Sequence, residues 1–495
     1  MPLAAASKAV LTLAAEQADG LYASRVRVYP RAVKGVVRRF KWAILTSCLA
    51  VYYLAPWLRW NRGAGRPDQA LLIDLPGRRG YFFGIEIWPQ EVYYLAGLMI
   101  LAAIALFFVT SLFGRMWCGY ACPQTVWTDL FLLTERLIEG DRAMRMHRDK
   151  GRLSFERLWR KIVKHAAWLL IALVTGGAWV MYFYDAPTLV RDLASLNPSP
   201  GALGFIGLLT VTTYVLAGWA REQVCTYMCP WPRFQSAMVD RNTLTVMYRE
   251  WRGEPRGKIP RNGLTSRQRG DCIDCRSCVT VCPTGIDIRD GLQLQCIGCG
   301  LCIDACDEVM TRLGRPTGLI AYTSQAMREA KGTTVGDFMA ALRRALLRPR
   351  TAIYTAVLLI GATAMLTALL SRSDFELSVL ADRTPLYVLL SDGSLRDAYT
   401  IKILNKSPLP REFRLSASGL PTARLSIAEQ DAAPSEATAG VALRVDGDSV
   451  GTFRALLHAP AGAVDGEAPI VFNVAPVAGR ERPVAHASVF HGPAR

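Results

Sequence analysis

The chain has 495 residues, of which 51% are hydrophobic, and its mean hydropathy is +0.19. This composition predicts a membrane protein with room for two to four domains. The formal charge of +17 would suit a nucleic-acid partner, but only 20% of the residues are charged and the basic ones lie beside apolar spans. Basic residues in that position encode membrane topology, so we exclude nucleic acid as a partner.

The first 41 residues form a basic segment ahead of the first apolar span. Residues 25–41 carry the basic side chains Arg25, Arg27, Arg31, Lys34, Arg38, Arg39 and Lys41, and no acid lies among them. By the positive-inside rule, this pattern predicts a cytoplasmic flank. Residues 1–41 show no apolar core followed by a small-residue cleavage site, so no cleavable signal peptide is expected.

Four membrane spans are predicted within residues 42–249. The apolar runs are Trp42–Leu58, Val92–Phe113, Ala166–Tyr184 and Gly201–Ala220. Each is about long enough to cross a bilayer as a helix. We expect polar loops at 59–90 and 185–200, and the ten Lys or Arg against four acids in 136–165 predict a cytoplasmic connection there.

Two matching cysteine motifs follow the second and fourth spans. They are Cys118-Gly-Tyr-Ala-Cys122-Pro123 and Cys225-Thr-Tyr-Met-Cys229-Pro230, which indicates a repeated helical hairpin. Cysteines four apart share one helical face, and each proline is expected to break the helix at the preceding cysteine. Four sulfurs brought together suit Cu(I), an iron-sulfur cluster or a reversible dithiol, while the alternative is four small buried side chains.

Eight further cysteines fall in two runs within a segment predicted to span 250–315. The first run is Cys272, Cys275, Cys278 and Cys282, and the second is Cys296, Cys299, Cys302 and Cys306. Each has the C-x2-C-x2-C-x3-C spacing of bacterial ferredoxins, in which the fourth cysteine binds the cluster of the other run. We therefore predict two 4Fe-4S clusters, one held by Cys272, Cys275, Cys278 and Cys306 and one by Cys296, Cys299, Cys302 and Cys282.

Zinc or a disulfide framework is a weak alternative for these runs, because a third cysteine at the same spacing would have no role. Gly298 and Gly300 suit a backbone whose N-H groups donate to cluster sulfurs.

Haem is disfavoured, since His165 alone of the five histidines lies near the edge of a span. No Rossmann glycine fingerprint is present, so no nicotinamide site is expected.

The remainder of the chain is free of cysteine. We expect a basic cytoplasmic linker at 316–350, a fifth span at 351–370 and a domain outside the membrane at 372–495. Alternating apolar residues at Tyr399–Leu404, Val441–Val445 and Ile470–Val474 predict an antiparallel β-sandwich. The absence of thiols after Cys306 fits export to another redox compartment.

This order of parts resembles the cytochrome c oxidase accessory proteins of the CcoG type, also called FixG or RdxA, over nearly the whole chain. The resemblance implies a membrane α-helical bundle of about five spans, an inserted ferredoxin-like domain with two 4Fe-4S clusters, and a C-terminal immunoglobulin-like sandwich. It further implies a protein of the bacterial cytoplasmic membrane, with the ferredoxin domain cytoplasmic and the C-terminal domain periplasmic.

The activity that the resemblance implies is cupric reduction in support of cbb-type oxidase assembly. Copper would be the substrate or ligand of Cys118, Cys122, Cys225 and Cys229, and the partners would be oxidase assembly factors and copper transporters or chaperones. The electron donor is open. Two alternatives remain, a quinol-linked ferredoxin subunit of a respiratory reductase and a copper-relay or assembly scaffold that does not turn over.

Overall fold

The computed structural model describes residues 27–63, 65–152, 154–258, 269–332, 334–420, 422–428, 435–478 and 482–493. Of the basic N-terminal segment, Arg25 and the rest of residues 1–26 lie outside this part. The chain divides into two compact units at residue 365.

The first unit is mainly helical. Its longer helices are Val36–Leu54, Tyr93–Phe113, Pro123–Glu139, Arg142–Lys150, Phe155–Val180, Ala186–Ala194, Pro200–Thr213, Trp231–Met238, Leu301–Arg312, Val335–Leu347 and Pro349–Leu370. Shorter helices cover Met116–Tyr120, Glu250–Gly253, Ser277–Val281 and Gln325–Glu329. The helix that begins at Pro200 continues as a π-helix over Tyr214–Ala220, and a second π-helical turn covers Val224–Met228.

Four helices in the described part of the chain are long and apolar enough to cross a membrane, at 89–113, 155–180, 200–220 and 349–370. They correspond to four of the five predicted spans. The helix Val36–Leu54 overlaps the first predicted span, Trp42–Leu58, but it begins with a polar turn in which Arg38 and Lys41 are buried against Asp129. One face of its first half therefore packs on protein, while Val36 and Phe40 are exposed.

The predicted loop at 59–90 is wrong, because it contains a three-stranded antiparallel sheet. Strands β1, β2 and β3 cover Leu71–Asp74, Arg79–Phe82 and Ile85–Ile87. The fully buried Gln69 holds the sheet in place, since its Nε2 donates to the Met181 carbonyl at 2.7 Å and its Oε1 accepts from the Ala186 amide at 3.0 Å. The second predicted loop likewise contains a helix, Ala186–Ala194, capped by Asp185.

The predicted linker at 316–350 is also structured. Strand β5, Ile320–Thr323, pairs antiparallel with β4, Thr245–Tyr248, so the two strands bracket the cysteine-rich segment. Two helices, 325–329 and 335–347, follow β5. The pairing is long-range, and no local pattern in the sequence signals it.

The second unit is a β-sandwich, as predicted. Its strands are β6 Phe375–Ala381, β7 Val388–Leu389, β8 Leu395–Asn405, β9 Arg411–Ser418, β10 Arg424–Ile427, β11 Ser435–Glu436, β12 Val441–Val445, β13 Ser449–Ala459, β14 Glu467–Pro476 and β15 Val484–His491. One sheet has the order β11-β10-β13-β8-β6 with β7 on β8, and the other has β12-β9-β14-β15. Alternate side chains such as Tyr399, Phe413 and Phe472 are fully buried between them.

Candidate functional site

The first cysteine run contributes three members of a cage whose fourth member comes from the second run. Electrostatic contacts join Cys278 to Cys272 and Cys275, and they join Cys306 to all three. We call these four residues the first cage. Burial, reinforced by the neighbouring cysteines, raises the thiol pKa of Cys278 and of Cys306 to about 12. The sulfur set is the one predicted for one 4Fe-4S cluster.

The second cage has the reciprocal arrangement. Electrostatic interactions link Cys302 to Cys299, Cys296 and Cys282, so the last cysteine of the first run completes this cage. The Gly298 N-H donates to the Cys296 sulfur and the Leu301 N-H to the Cys299 sulfur. Gly298 and Gly300 have φ of 67° and 70°, a left-handed conformation that glycine adopts without strain. These N-H groups can donate hydrogen bonds to the negatively charged sulfurs of a bound cluster.

The two cages are neighbours, because Cys302 of the second interacts electrostatically with Cys278 of the first and packs against the hydrophobic cluster that contains Cys278. Arg289, only 7% exposed, supplies positive charge at the first cage through a hydrogen bond to Cys272. Its guanidinium is held by Asp287 at 2.5 Å and Asp274 at 2.6 Å. The donor set, the amides and this cation fit two iron-sulfur clusters that carry net negative charge.

The two proline-containing motifs break their helices as predicted. Cys122 is extended, with ψ of 129°, and the helix Pro123–Glu139 begins with proline at its first position. Cys229 is also extended, with ψ of 122°, and a helix begins at Trp231 just after Pro230. Each motif therefore places one cysteine inside a helical turn and one at the break.

These four cysteines, which we call the four-cysteine site, lie together. Cys225 has electrostatic contacts with Cys122, Cys118 and Cys229, and Cys118 contacts Cys122 and Cys229. Burial raises the pKa of the Cys118 thiol, and it raises that of Cys225 to about 12. Among the residues that the structure describes, no three His, Cys, Asp or Glu side chains converge on a single-ion position. In a 4Fe-4S cage each thiolate meets a different iron, so such convergence is not required there.

Two polar side chains that the sequence reasoning missed join the halves of the four-cysteine site. Gln235, fully buried, accepts a hydrogen bond from the Cys118 thiol at 3.2 Å and donates to Thr110 at 3.3 Å. Arg115 hydrogen-bonds Cys118, acts to lower the pKa of Cys118, Cys225 and Cys296, and donates to the Leu294 carbonyl. An arginine three or four residues before each cysteine pair is a repeat that could have signalled Arg115.

The four-cysteine site packs directly against the second cage. A Cβ built on Gly119 would lie 2.8 Å from the Ile297 oxygen and 2.9 Å from the Cys299 nitrogen, so only glycine allows this approach. Next to it, the Tyr120 hydroxyl lies 3.1 Å from that of Tyr322. Tyr120 is buried, whereas its counterpart Tyr227 is 74% exposed. The tyrosines of the two motifs are therefore not equivalent, but both motifs border the cluster-binding segment, since Cys225 packs against the hydrophobic cluster that contains Ile297 and Cys299.

Buried charges attach the cysteine-rich segment to the first helix. Asp304, on the helix Leu301–Arg312, accepts from the Val37 amide at 3.1 Å and the Arg38 amide at 2.7 Å. Arg38 in turn pairs with Asp129 at 2.9 Å. Burial opposes ionisation of Asp129, but Lys41 and Arg38 outweigh it, so the pKa of Asp129 is lowered. These contacts hold the second cage against the helices that carry the cysteine motifs.

The fold and the site together define a membrane-associated 4Fe-4S electron-transfer protein with an immunoglobulin-like domain. Three family models match: a 4Fe-4S dicluster domain at residues 220–325, a 4Fe-4S binding domain at 95–139, and the IG-like fold at the C-terminus of FixG at 365–493.

Three curated relatives extend these matches over most of the chain. The chain is 50% identical to the nitrogen fixation protein FixG of Rhizobium meliloti over 83% of its own length and 82% of the relative. It is 50% identical to protein RdxA of Cereibacter sphaeroides over 90% of its length and 92% of the relative. It is also 50% identical to protein RdxB of the same organism, over 83% of its length and 86% of the relative. The chain belongs to the FixG/RdxA family.

Proposed function

We propose that this protein is a cupric reductase, which converts Cu(II) to Cu(I) at the four-cysteine site with electrons that arrive by way of the two cages. One observation carries the proposal: Gly119, inside the first cysteine motif, lies against the backbone of Ile297 and Cys299 of the second cage. A thiol site in direct contact with an electron-transfer segment is placed to receive single electrons. Reduction of Cu(II) to Cu(I) takes one electron.

The residues of the cages and those of the four-cysteine site have different roles in the proposed reaction. When bound, 4Fe-4S clusters supply one-electron redox chemistry. Arg289 and the amides of Gly298 and Leu301 place positive charge and hydrogen-bond donors at the cage sulfurs. At the four-cysteine site, soft sulfur ligands bind Cu(I) in preference to Cu(II), so they make the reduction of Cu(II) more favourable.

We further propose that the cages face the cytoplasm of a bacterial inner membrane and that the β-domain is periplasmic. The support is the excess of basic residues in 136–165 and 316–350, which flank the apolar helices. The Cu(I) product would serve assembly of a cbb-type oxidase, through copper transporters or chaperones and assembly factors as partners.

The test is anaerobic and uses full-length protein with its clusters reduced. Cu(II) is added, reoxidation of the clusters is followed by visible absorbance, and Cu(I) is trapped with a specific chelator. Cys122→Ala/Cys229→Ala should keep its iron and lose Cu(I) formation. Cys48→Ala is the matched control, because Cys48 lies on the helix Val36–Leu54 and belongs to neither cage nor to the four-cysteine site.

Two results would count against the proposal. Equal Cu(I) formation by the double variant and the parent would show that the four-cysteine site takes no part in Cu(II) reduction. Clusters that stay reduced while copper binds in fixed stoichiometry would indicate a relay or scaffold protein instead.

A further inference from the structure

A cavity of about 310 Å³ lies between the helix Phe155–Val180 and the π-helical end of the fourth span. It is lined by Lys164, His165, Trp168, Trp219, Arg221 and Glu222, among others. Its volume is at the lower end of the range for small-molecule sites, roughly 300–1,000 Å³. Trp219 is 58% exposed and lies at the end of a membrane-crossing helix, so the cavity is reached from the level of the bilayer interface.

Each cation that lines this cavity is already paired with a carboxylate, and Arg27 and Lys161 share Asp149. The pairs are Arg27 with Asp149 at 3.0 Å, Lys161 with Asp149 at 3.2 Å, Lys164 with Glu139 at 2.8 Å and Arg221 with Glu135 at 3.0 Å. A further carboxylate, Glu222, lines the cavity itself. An anionic head group would have to displace these carboxylates from the cations, so the cavity suits a neutral ligand.

The remaining lining groups suit a flat ring with hydroxyl groups. His165 lies edge-on to Trp168, with ring centroids 5.1 Å apart, and Trp219 lies 6.4 Å from the same imidazole. The Nδ1 of His165 is 2.8 Å from the Tyr214 hydroxyl. When Nδ1-H donates to that hydroxyl, the lone pair is on Nε2, which can accept a proton from a ligand.

The cavity is linked to the four-cysteine site through two shared residues. Arg221 and Glu222 also line a smaller cavity of about 30 Å³, whose walls include Cys225 and, from the cluster-binding segment, Thr284 and Ile297. A ligand in the larger cavity is thus separated from Cys225 by one layer of side chains.

We propose that the larger cavity binds the head group of a membrane quinol, which is the electron donor of the protein. Oxidation of one quinol yields the quinone, two electrons and two protons. One proton passes to Nε2 of His165 and the other to the Glu222 carboxylate. Resting on the proposed function, the two electrons end on two Cu(II) ions, so the balance is quinol plus 2 Cu(II) to quinone plus 2 Cu(I) plus 2 H⁺.

The test measures electron transfer between the clusters and quinone without copper, in the direction from reduced clusters to quinone. Full-length protein in lipid nanodiscs is reduced with dithionite, desalted under anaerobic conditions and mixed with decylubiquinone, and cluster reoxidation is followed. The rate should saturate with quinone concentration. In this direction the quinone takes up protons and His165 returns one, so His165→Gln should lower the saturating rate about a hundredfold, at the lower end of what a positioned acid-base group contributes.

A second variant, at Trp219, tests the cavity independently if His165→Gln does not fold. Trp219 is largely exposed, so Trp219→Leu is compatible with folding and should raise the half-saturating quinone concentration about tenfold through loss of ring contact. Binding is measured apart from turnover, as saturable quenching of tryptophan fluorescence by decylubiquinone in the oxidised protein. His147→Gln, on the helix Arg142–Lys150, is the control and should match the parent.

The outcomes separate this inference from the proposed function. The quinol site is refuted if quinone reoxidises the parent without saturation, or if it reoxidises both variants as fast as the parent. In either case, Cu(II)-driven reoxidation of the clusters still tests the four-cysteine site. If the variants instead lose co-purified anionic phospholipid and quinone does not quench, the cavity is a lipid head-group site and the inference is overturned.

Discussion

Replacing Gly119 by alanine tests the contact on which the proposed function depends. The added methyl would lie 2.8 Å from the Ile297 oxygen and 2.9 Å from the Cys299 nitrogen. Both are backbone atoms, so they cannot move away by a rotamer change. Ordinary van der Waals separation requires a displacement of about 0.5 Å, and overpacking of this kind costs about 1–3 kcal/mol.

We expect Gly119→Ala to retain its iron, because no cage residue is changed, but to lose cluster absorbance at lower denaturant concentration. Cu(II)-driven reoxidation of its clusters should be slower, since the four-cysteine site is pushed away from the second cage. The assay compares the denaturation midpoint, the iron content and the reoxidation rate with those of the parent.

Gly177→Ala is the matched control. Gly177 is also a helical glycine, but a Cβ at its position meets no atom within 4 Å. Alanine there should be neutral or stabilising by about 1 kcal/mol, because it lowers the conformational entropy of the unfolded chain. If the two variants have the same midpoint and the same reoxidation rate, the close approach of the cysteine motif to the second cage is refuted.

Three further predictions follow from the site. Cys278→Ala should lose the cluster of the first cage, seen as about half the parent iron by metal analysis; full iron content would contradict the ligand assignment. Asp129→Asn leaves two buried cations without their carboxylate and should cost about 3–5 kcal/mol in denaturant titration. Because the pKa of Asp129 is lowered in the folded state, its contribution is present above the unfolded-state pKa and is lost as pH falls through the folded-state pKa, so the gap between variant and parent should narrow in acid. Arg115→Gln removes a positive charge beside the cage sulfurs and should shift a cluster midpoint potential to a more negative value, whereas Arg115→Lys should shift it less; equal shifts in a redox titration would rule out a charge effect.

The sequence alone was sufficient for the features that depend on local spacing. The two cysteine runs predict the ligand sets, because three thiolates two residues apart can reach one cube only with a fourth from elsewhere. Apolar runs of helical length locate the membrane helices, and strict alternation locates strands such as β8, β12 and β14. Proline after each motif cysteine determines the helix break, since its ring excludes the α conformation at the residue before it.

Tertiary structure decided everything that depends on residues far apart in the chain. The sheet β1–β3 and the pairing of β4 with β5 rest on weak local patterns, and they form because partners such as Gln69 and Met181 meet in the fold. The approach of Gly119 to Cys299 joins residues 180 positions apart, and no composition or period encodes it. Buried polar groups must find partners wherever the fold supplies them, so their pairing follows from the packed structure and not from the local sequence.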